Sequence, residues 1–260
     1  VIVEELLESV AADLKVRTAT EVRVGLAYTV VKLDDGSCGL AATIREEPSA
    51  CCILLREAGE LAPRPAAALA ELALSTDGLE AAIGVATINA VLNGRPLAGE
   101  REGGDLVEEM AITTSDSVGM IGYFGPLVEP IRRSCRELLI FERRAGQIPL
   151  PEGVKVYPDW AAELLLPQCD AVLISGSTVV NKTIDHLLEL CRGRVGLVGP
   201  TTPLSPVFAR HGVSFLFGSR VRDAAKILKI VSEGGGTPAF GSAIIKVAVR
   251  LNPHRRPEAR

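Results

Sequence analysis

Four short segments in the second half of the chain gather residue types that can hold a polar small molecule. Gly119-Met-Ile-Gly122-Tyr123-Phe124-Gly125-Pro126 closes an apolar run. Glycine at such a point lets the backbone turn tightly and approach a ligand, and a helix starting after it can accept an anion. The spacing Gly122-x-x-Gly125 is not that of a dinucleotide loop, and Tyr123, Phe124 and Pro126 add bulk where a dinucleotide needs room. Glu142 ends the next apolar run, twenty residues after Gly122. An acid at about that distance commonly hydrogen-bonds ribose hydroxyls. The structural alternative is a surface acid paired with Arg143 or Arg144. The third segment is Ser175-Gly176-Ser177-Thr178, followed by Asn181, Lys182 and Thr183. One helix cap needs one such residue, and several stand together here, so contact with an anion or a polar ring is the favoured reading. The fourth, Gly199-Pro200-Thr201-Thr202-Pro203, can be a cap with proline in the first turn or a further ligand contact.

Other chemistries lack their residues. There is no G-x-S-x-G, and His186, His211 and His254 have no partnered motif. His186 sits in a helical pattern and reads as a half-buried or surface residue. Six cysteines, at 38, 51, 52, 135, 169 and 191, show no C-x-x-C spacing. They read as reduced thiols in a cytoplasmic protein, with Cys169 and Cys191 as metal ligands only a minor alternative. No metal site is therefore expected in the protein itself. A net charge of −4 offers no basic face for nucleic acid. The basic residues between Arg250 and Arg260 read as a frayed tail. No apolar run reaches the roughly 18 residues that a membrane helix needs, and the acidic first segment does not read as a signal peptide. A small-molecule ligand is the expected partner, with neither nucleic acid nor membrane, and homo-oligomerisation is left open.

The elements that must position these residues fall into two patterns. With 47% hydrophobic residues but only 4% aromatic, the core rests on Val, Leu, Ile and Ala. Leu6, Leu7, Val10, Ala11 and Leu14 repeat at helical spacing. Residues 21–33 read as a strand, Asp35–Gly36 as a turn and 39–44 as the return strand. An Ala/Leu-rich helix over 63–74 has Pro65 near its first turn. Ser75-Thr76-Asp77 then caps a second helix, closed by Asn93–Gly94. This small α+β unit spans 1–98, and a Gly/Pro-rich linker runs from 94 to 105.

From 105 to 250 strands and helices alternate, with a tail over 251–260. Strand-like runs lie at 117–122, 138–142, 154–157, 171–175, 195–198 and 213–217, and helices at 160–166, 182–191 and 223–232. Near-continuous apolar strands separated by helices predict an α/β fold, a Rossmann-like doubly wound and mostly parallel sheet covered on both faces. If its strand order is 3-2-1-4-5, the Gly122 and Ser175 loops flank the switch point where such sheets open their crevice.

The runs GVATINAVLN (84–93), DSVGMIGYFGPLV (116–128), DAVLISGSTVVNKT (170–183) and VGPTTPLSPVF (198–208) resemble the heavy-metal chelation domain family. The resemblance covers nearly the whole chain. It implies a Rossmann-like domain preceded by an enolase N-terminal-like domain, with residues of both forming one site. It implies a role in making, hydrolysing or handling pterin-, flavin- or siderophore-like chelators, with the heavy metal present as a chelate. Carried over by motif, Thr87 and Asn89 join Gly122, Gly125, Glu142, Ser177, Thr178, Asn181, Thr201 and Thr202. Ser175-Gly-Ser-Thr stands where the family has Thr-Gly-Thr-Thr, which keeps the hydroxyls. Glu142 and Asn181 are the catalytic candidates. A non-catalytic carrier or sensor of a metal–chelator complex, and an S-adenosylmethionine- or nucleotide-dependent enzyme, are the competing readings. The functional account as a whole requires Gly122, Ser177 and Thr201 to share one hollow.

Overall fold

The computed structural model describes residues 1–44, 54–143 and 154–253. Cys51, Cys52, Arg144 and the tail from His254 onward lie outside the described residues. The chain opens with α1 (Ile2–Leu14), which buries Ile2, Leu6, Val10 and Leu14 on one stripe. A meander follows: β1 (Thr18–Val24), β2 (Tyr28–Leu33) and β3 (Cys38–Ala42). With the two-residue β4 (Arg64–Pro65) they form an antiparallel sheet ordered β3-β2-β1-β4. The single strand expected over 21–33 is thus two strands. Gly25 lies in the turn between them, its amide donating to Tyr28 O at 2.9 Å, and only glycine fits there, since a Cβ would stand 2.4 Å from the Val231 carbonyl oxygen.

Two helices cover this sheet, α2 (Ala66–Glu71) and α3 (Gly78–Leu92). Pro65 precedes α2 as its N-cap rather than entering its first turn. Asp77 caps α3, its carboxylate accepting from the Leu79 and Glu80 amides at 2.9 and 3.0 Å. Nearly every residue of α3 is buried, so the helix runs through the core instead of over it. Small residues permit this. A Cβ on Gly39 of β3 would meet the Ala86 carbonyl oxygen at 2.1 Å and the Ala90 nitrogen at 2.2 Å.

The second sheet has eight strands in the order β5-β12-β11-β10-β9-β6-β7-β8. They are β5 (Glu100–Glu102), β6 (Ser117–Ile121), β7 (Glu137–Phe141), β8 (Lys155–Tyr157), β9 (Ala171–Ser175), β10 (Arg194–Val198), β11 (Phe215–Val221) and β12 (Ile244–Arg250). Six of them, from β8 across to β11, are parallel, while β12 and β5 add antiparallel strands at the other edge. Counted from β6, the first five strands stand in the order 3-2-1-4-5, so the switch point falls between β6 and β9. Helices α4 (Leu106–Glu109), α5 (Gly125–Ser134), α6 (Ala162–Leu165), α7 (Ser177–Val180), α8 (Ile184–Leu190), α9 (Ala224–Ser232) and α10 (Thr237–Phe240) complete it.

Besides β12, which no expected run covers, and β11, which extends past its expected 213–217, two features depart from expectation. β5 lies inside the predicted linker and pairs with β12, so that segment belongs to the large sheet. The helix expected over 160–166 is a 3₁₀ turn at Asp159–Ala161, the short α6 and a second turn at Leu166–Gln168.

The two sheets share their cores. Val30, Cys38 and Leu40 of the meander pack with Ile227, Leu228 and Val231 of α9 and with Phe240. The amide of Ile2 donates to Asp185 Oδ1 at 3.0 Å, tying the start of α1 to α8. Arg220, almost buried, reaches from β11 to the Asn93 and Arg95 carbonyls and to the Glu100 carboxylate. Among the described residues no helix is long and apolar enough to cross a membrane.

Candidate functional site

Four of the six parallel strands, β6, β7, β9 and β10, end in the same way. The first residue beyond each still donates its amide to the neighbouring strand: Gly122 to Phe141 O at 2.9 Å, Glu142 to Tyr157 O at 3.0 Å, Gly176 to Val198 O and Gly199 to Phe217 O both at 2.9 Å. The four polar segments are therefore aligned along the carboxyl edge of one sheet. Gly122 has φ +89°, a left-handed conformation that side chains rarely adopt, and its absent Cβ would stand 3.3 Å from Ser175 Cβ. The β6 and β9 loops thus come together at the switch point.

A cleft of about 420 Å³ opens there. Gly122, Glu142, Ser175, Ser177, Thr178 and Asn181 line it, all expected from the sequence. The Ser175 and Ser177 hydroxyls lie 2.8 Å apart, and the Ser177 amide reaches Ser175 Oγ at 3.3 Å. Thr178 Oγ1 donates to the Ser175 carbonyl at 2.6 Å, so that hydroxyl is spent on closing the turn. Asn181 is exposed, and its Oδ1 accepts from the Thr183 amide and hydroxyl at 3.2 and 2.8 Å. That contact is a turn leading into α8, whose N-cap is Thr183 with no side-chain cap bond, so Asn181 is not the helix cap of the alternative reading. The contact also commits the oxygen, which leaves the NH₂ for a ligand.

Lys182 follows in a left-handed conformation, φ +62°. Its ammonium donates to the carbonyls of Ser75 and Val180 at 2.6 and 3.3 Å, and burial pushes its pKa down. It ties the segment before α3 to the turn between α7 and α8.

Other wall residues had no signal in the sequence: Arg143, Asp159, Trp160, Glu163 and His186, with Leu187 and Leu190. His186 is exposed, as expected, but it has a partner, since its Nε2 hydrogen-bonds Glu163 Oε1. The two belong to α8 and α6, so only the folded chain brings them together. Arg143 pairs with Asp159 at 3.2 Å.

The remaining predicted residues sit elsewhere. Tyr123 folds against Gly125 on the shoulder of α5, with its ring carbon 3.3 Å from where a Gly125 Cβ would stand, and Pro126 is exposed beside them. Thr87, Asn89, Thr201 and Thr202 are buried in the seam between α3, β3 and the loop after β10, with Pro200 also buried and Gly199 at the head of that loop. Thr87 Oγ1 donates back to Ile83 O at 2.8 Å, while Asn89 Nδ2 donates to Leu40 O and Thr201 O at 2.8 and 2.9 Å. Thr201 Oγ1 accepts from the Ala42 amide at 2.8 Å. Asn93, read from the sequence only as a helix end, bonds Thr202 O, Ser219 O and the Leu204 amide. Gly122 and Ser177 therefore share a hollow, and Thr201 does not face it. The seam stands behind the cleft wall, since a Cβ on Gly176 would lie 2.6 Å from the Thr202 nitrogen.

A broader hollow of about 620 Å³, where α1 meets the Pro206–His211 turn, is lined by Glu5, Glu8, Ser9, Arg210 and His211. Arg210 and His211 both pair with Glu5 there, and none of its lining residues is shared with the cleft.

Among the described residues no three His, Cys, Asp or Glu side chains gather in a group that could hold an ion. Burial pushes the Cys38 thiol up to about 12 and the Cys169 thiol to about 11, which keeps both protonated near neutrality. Among the described residues, the donors do not fit a metal held directly by the protein.

Two family models match the chain, both described as "Putative heavy-metal chelation", over residues 105–250 and 3–92. An uncharacterised protein of Methanocaldococcus jannaschii is 30% identical over 187 residues, 69% of this chain and 70% of that one. A crystal structure of a protein with unknown function from Desulfitobacterium hafniense DCB-2 superposes with TM-score 0.76 at 30% identity, covering 95% of this chain and 99% of that one. Another, from Pyrococcus horikoshii, gives TM-score 0.80 at 24% identity, covering 96% and 100%, and shares the fold.

Proposed function

This chain belongs to the family described as "Putative heavy-metal chelation", and from that premise we propose that its cleft binds an organic metal chelator, or the precursor of one, and acts on it by proton transfer. One observation carries the reading: glycine, hydroxyl, amide and carboxylate groups from the ends of β6, β7 and β9 line one cleft at the switch point. Such crevices are where open α/β sheets take their ligands. The donor set argues that metal arrives as cargo on the organic ligand, since the described side chains do not gather into a metal site.

In this reading the Ser175 and Ser177 hydroxyls and the Asn181 amide orient polar atoms of the ligand. Glu142 accepts from ligand hydroxyls or takes a proton. His186, hydrogen-bonded to Glu163 and lining the same cleft, is the side chain placed to transfer a proton, in the arrangement of a base with its orienting carboxylate. Hydrolysis or condensation of a heterocyclic or siderophore-like molecule is the reaction class that needs these parts. Asn89, Thr201 and Thr202 serve it from the seam, by fixing the wall that carries Ser175, while Thr87 bonds only within its own helix.

Thermal unfolding in the presence of pterin, riboflavin and a catechol chelator, each with and without zinc, tests this. A ligand at a hundred times its Kd adds about 2.7 kcal/mol. For a chain of this size that is a rise of roughly 5–10 °C. Asn181→Ala should lose that rise while lowering the unliganded midpoint by only about 2–4 °C, the worth of a turn hydrogen bond near 1 kcal/mol. Stabilisation by zinc alone, with no response to any organic ligand, refutes the proposal.

A further inference from the structure

The single tryptophan of the chain stands in the open. Trp160 is 69% exposed, although tryptophan is on average a highly buried residue. It belongs to the 3₁₀ turn Asp159–Ala161, directly after β8, and it forms part of the cleft wall. The turn beneath it is anchored. Trp160 N donates to Asp159 Oδ1 at 3.0 Å, Asp159 Oδ2 accepts from Arg143 Nε at 3.2 Å, and Ala161 and Ala162 are buried. A fixed backbone that presents an exposed aromatic ring to a cleft has the form of a stacking platform. Glu142 stands at the end of the adjacent strand, its amide bonded to Tyr157 O at 3.0 Å. Both Glu142 and Trp160 line the same cleft, from the ends of two neighbouring strands.

Resting on the reading of this cleft as a small-molecule site, we propose that Trp160 stacks on a planar nitrogen heterocycle whose hydroxylated side chain or sugar lies against Glu142. The electron-rich indole face favours an offset stack with an electron-poor ring. Leu187 and Leu190 of α8 add apolar lining to the same cleft. A carboxylate accepts hydrogen bonds from two neighbouring hydroxyls. A nucleoside and a polyhydroxylated pteridine share this chemistry, and a hydroxamate or catechol siderophore lacks it.

Calorimetric titration of the whole protein with adenosine and neopterin tests the inference, alongside 2′,3′-dideoxyadenosine and unsubstituted pterin, which lack the diol. At least one diol compound should bind, and the tighter of the two assigns a nucleoside or a pteridine. Its binding should fall roughly tenfold or more in Trp160→Ala and recover in Trp160→Phe, as expected for base–aromatic stacking. The melting temperature should hold, because the ring is exposed. Glu142→Gln should narrow the advantage of the diol compound over its counterpart. With one tryptophan, quenching of its emission by adenosine reports the contact directly. Wild-type affinity in Trp160→Ala, or no binding of either diol compound, overturns the proposal. If a catechol chelator still binds and Ser177→Ala abolishes that binding, the reading of the cleft as a chelator site stands without the stack.

Discussion

Removing the Asn93 side chain tests how the seam supports the cleft. Asn93 is 4% exposed. Its Nδ2 donates to Thr202 O and Ser219 O at 3.0 and 3.2 Å, and its Oδ1 accepts from the Leu204 amide at 2.9 Å. One side chain thus joins the end of α3 to the loop after β10 and to β11. In Asn93→Ala the Leu204 N–H loses its acceptor inside the protein, and a buried unsatisfied donor costs about 1–3 kcal/mol. The two carbonyls lose a donor each, a smaller cost because a carbonyl has a second lone pair. A total near 3 kcal/mol corresponds to a fall of roughly 6–12 °C in melting temperature. Asn89→Ala is the control. Asn89 is as buried and also donates to two carbonyls, but its Oδ1 has no partner, so truncation removes an orphaned acceptor as well. Its cost should be about 1 kcal/mol or less. Calorimetry and urea midpoints on both variants measure the difference. Equal midpoints for the two, or Asn93→Ala within roughly 2 °C of wild type, would refute the reasoning.

Two further outcomes follow from close approach and from charge. Gly39→Ala places a methyl 2.1 Å from the Ala86 carbonyl oxygen and 2.2 Å from the Ala90 nitrogen, both backbone atoms of α3. The helix must retreat, so the cost should reach or exceed the upper end of the usual 1–3 kcal/mol for overpacking, roughly a 6–12 °C loss in a thermal scan. The Arg220 hydrogen bond, against the opposing effect of burial, holds the Glu100 carboxyl below its usual range. A depressed carboxylate contributes stability that is complete above its unfolded pKa, about 4.3, and is lost as pH falls through the folded value. Urea midpoints from pH 7 to pH 3 should therefore drop below about pH 4.3, and Arg220→Met should flatten that part of the profile. An unchanged slope in Arg220→Met assigns the acid sensitivity to other carboxylates.

The parallel strands were legible because their apolar runs are local. β9 matches its expected bounds, and β6, β7, β8 and β10 begin or end within a residue of theirs. The elements that escaped depend on partners. β5 is Glu-Arg-Glu, charged and three residues long, and only its pairing with β12 makes it a strand. β12 carries Lys246 and Arg250 among its apolar residues at the antiparallel side of the sheet, where the continuous pattern of a buried parallel strand does not apply. The turn at Gly25 lies against Val231 of α9, more than two hundred residues away in sequence, a closeness that the local pattern does not carry. Trp160 and Leu164 read as the apolar positions of a helix, yet both are exposed, because the segment folds as short turns around Pro167.

The polar strand ends were visible for the same local reason, but two uses of a polar residue leave the same mark in a sequence. Ser177 and Asn181 are partly or wholly exposed in the cleft, whereas Thr201, Thr202 and Asn89 are sealed in the seam. Each group consists of side chains that satisfy or recruit hydrogen bonds, so motif spacing does not separate a ligand contact from a weld between two sheets. Burial separates them. The two groups are also mechanically joined, since Gly176 touches the Thr202 backbone on one side and carries Ser175 and Ser177 on the other. A residue at position 176 with any side chain would displace Thr202 or the serine loop. The seam's polar residues therefore act on the cleft by holding its back wall within hydrogen-bonding tolerance. Substitutions there should weaken ligand binding in proportion to the stability they remove, whereas those at Ser177 should weaken binding without that proportion.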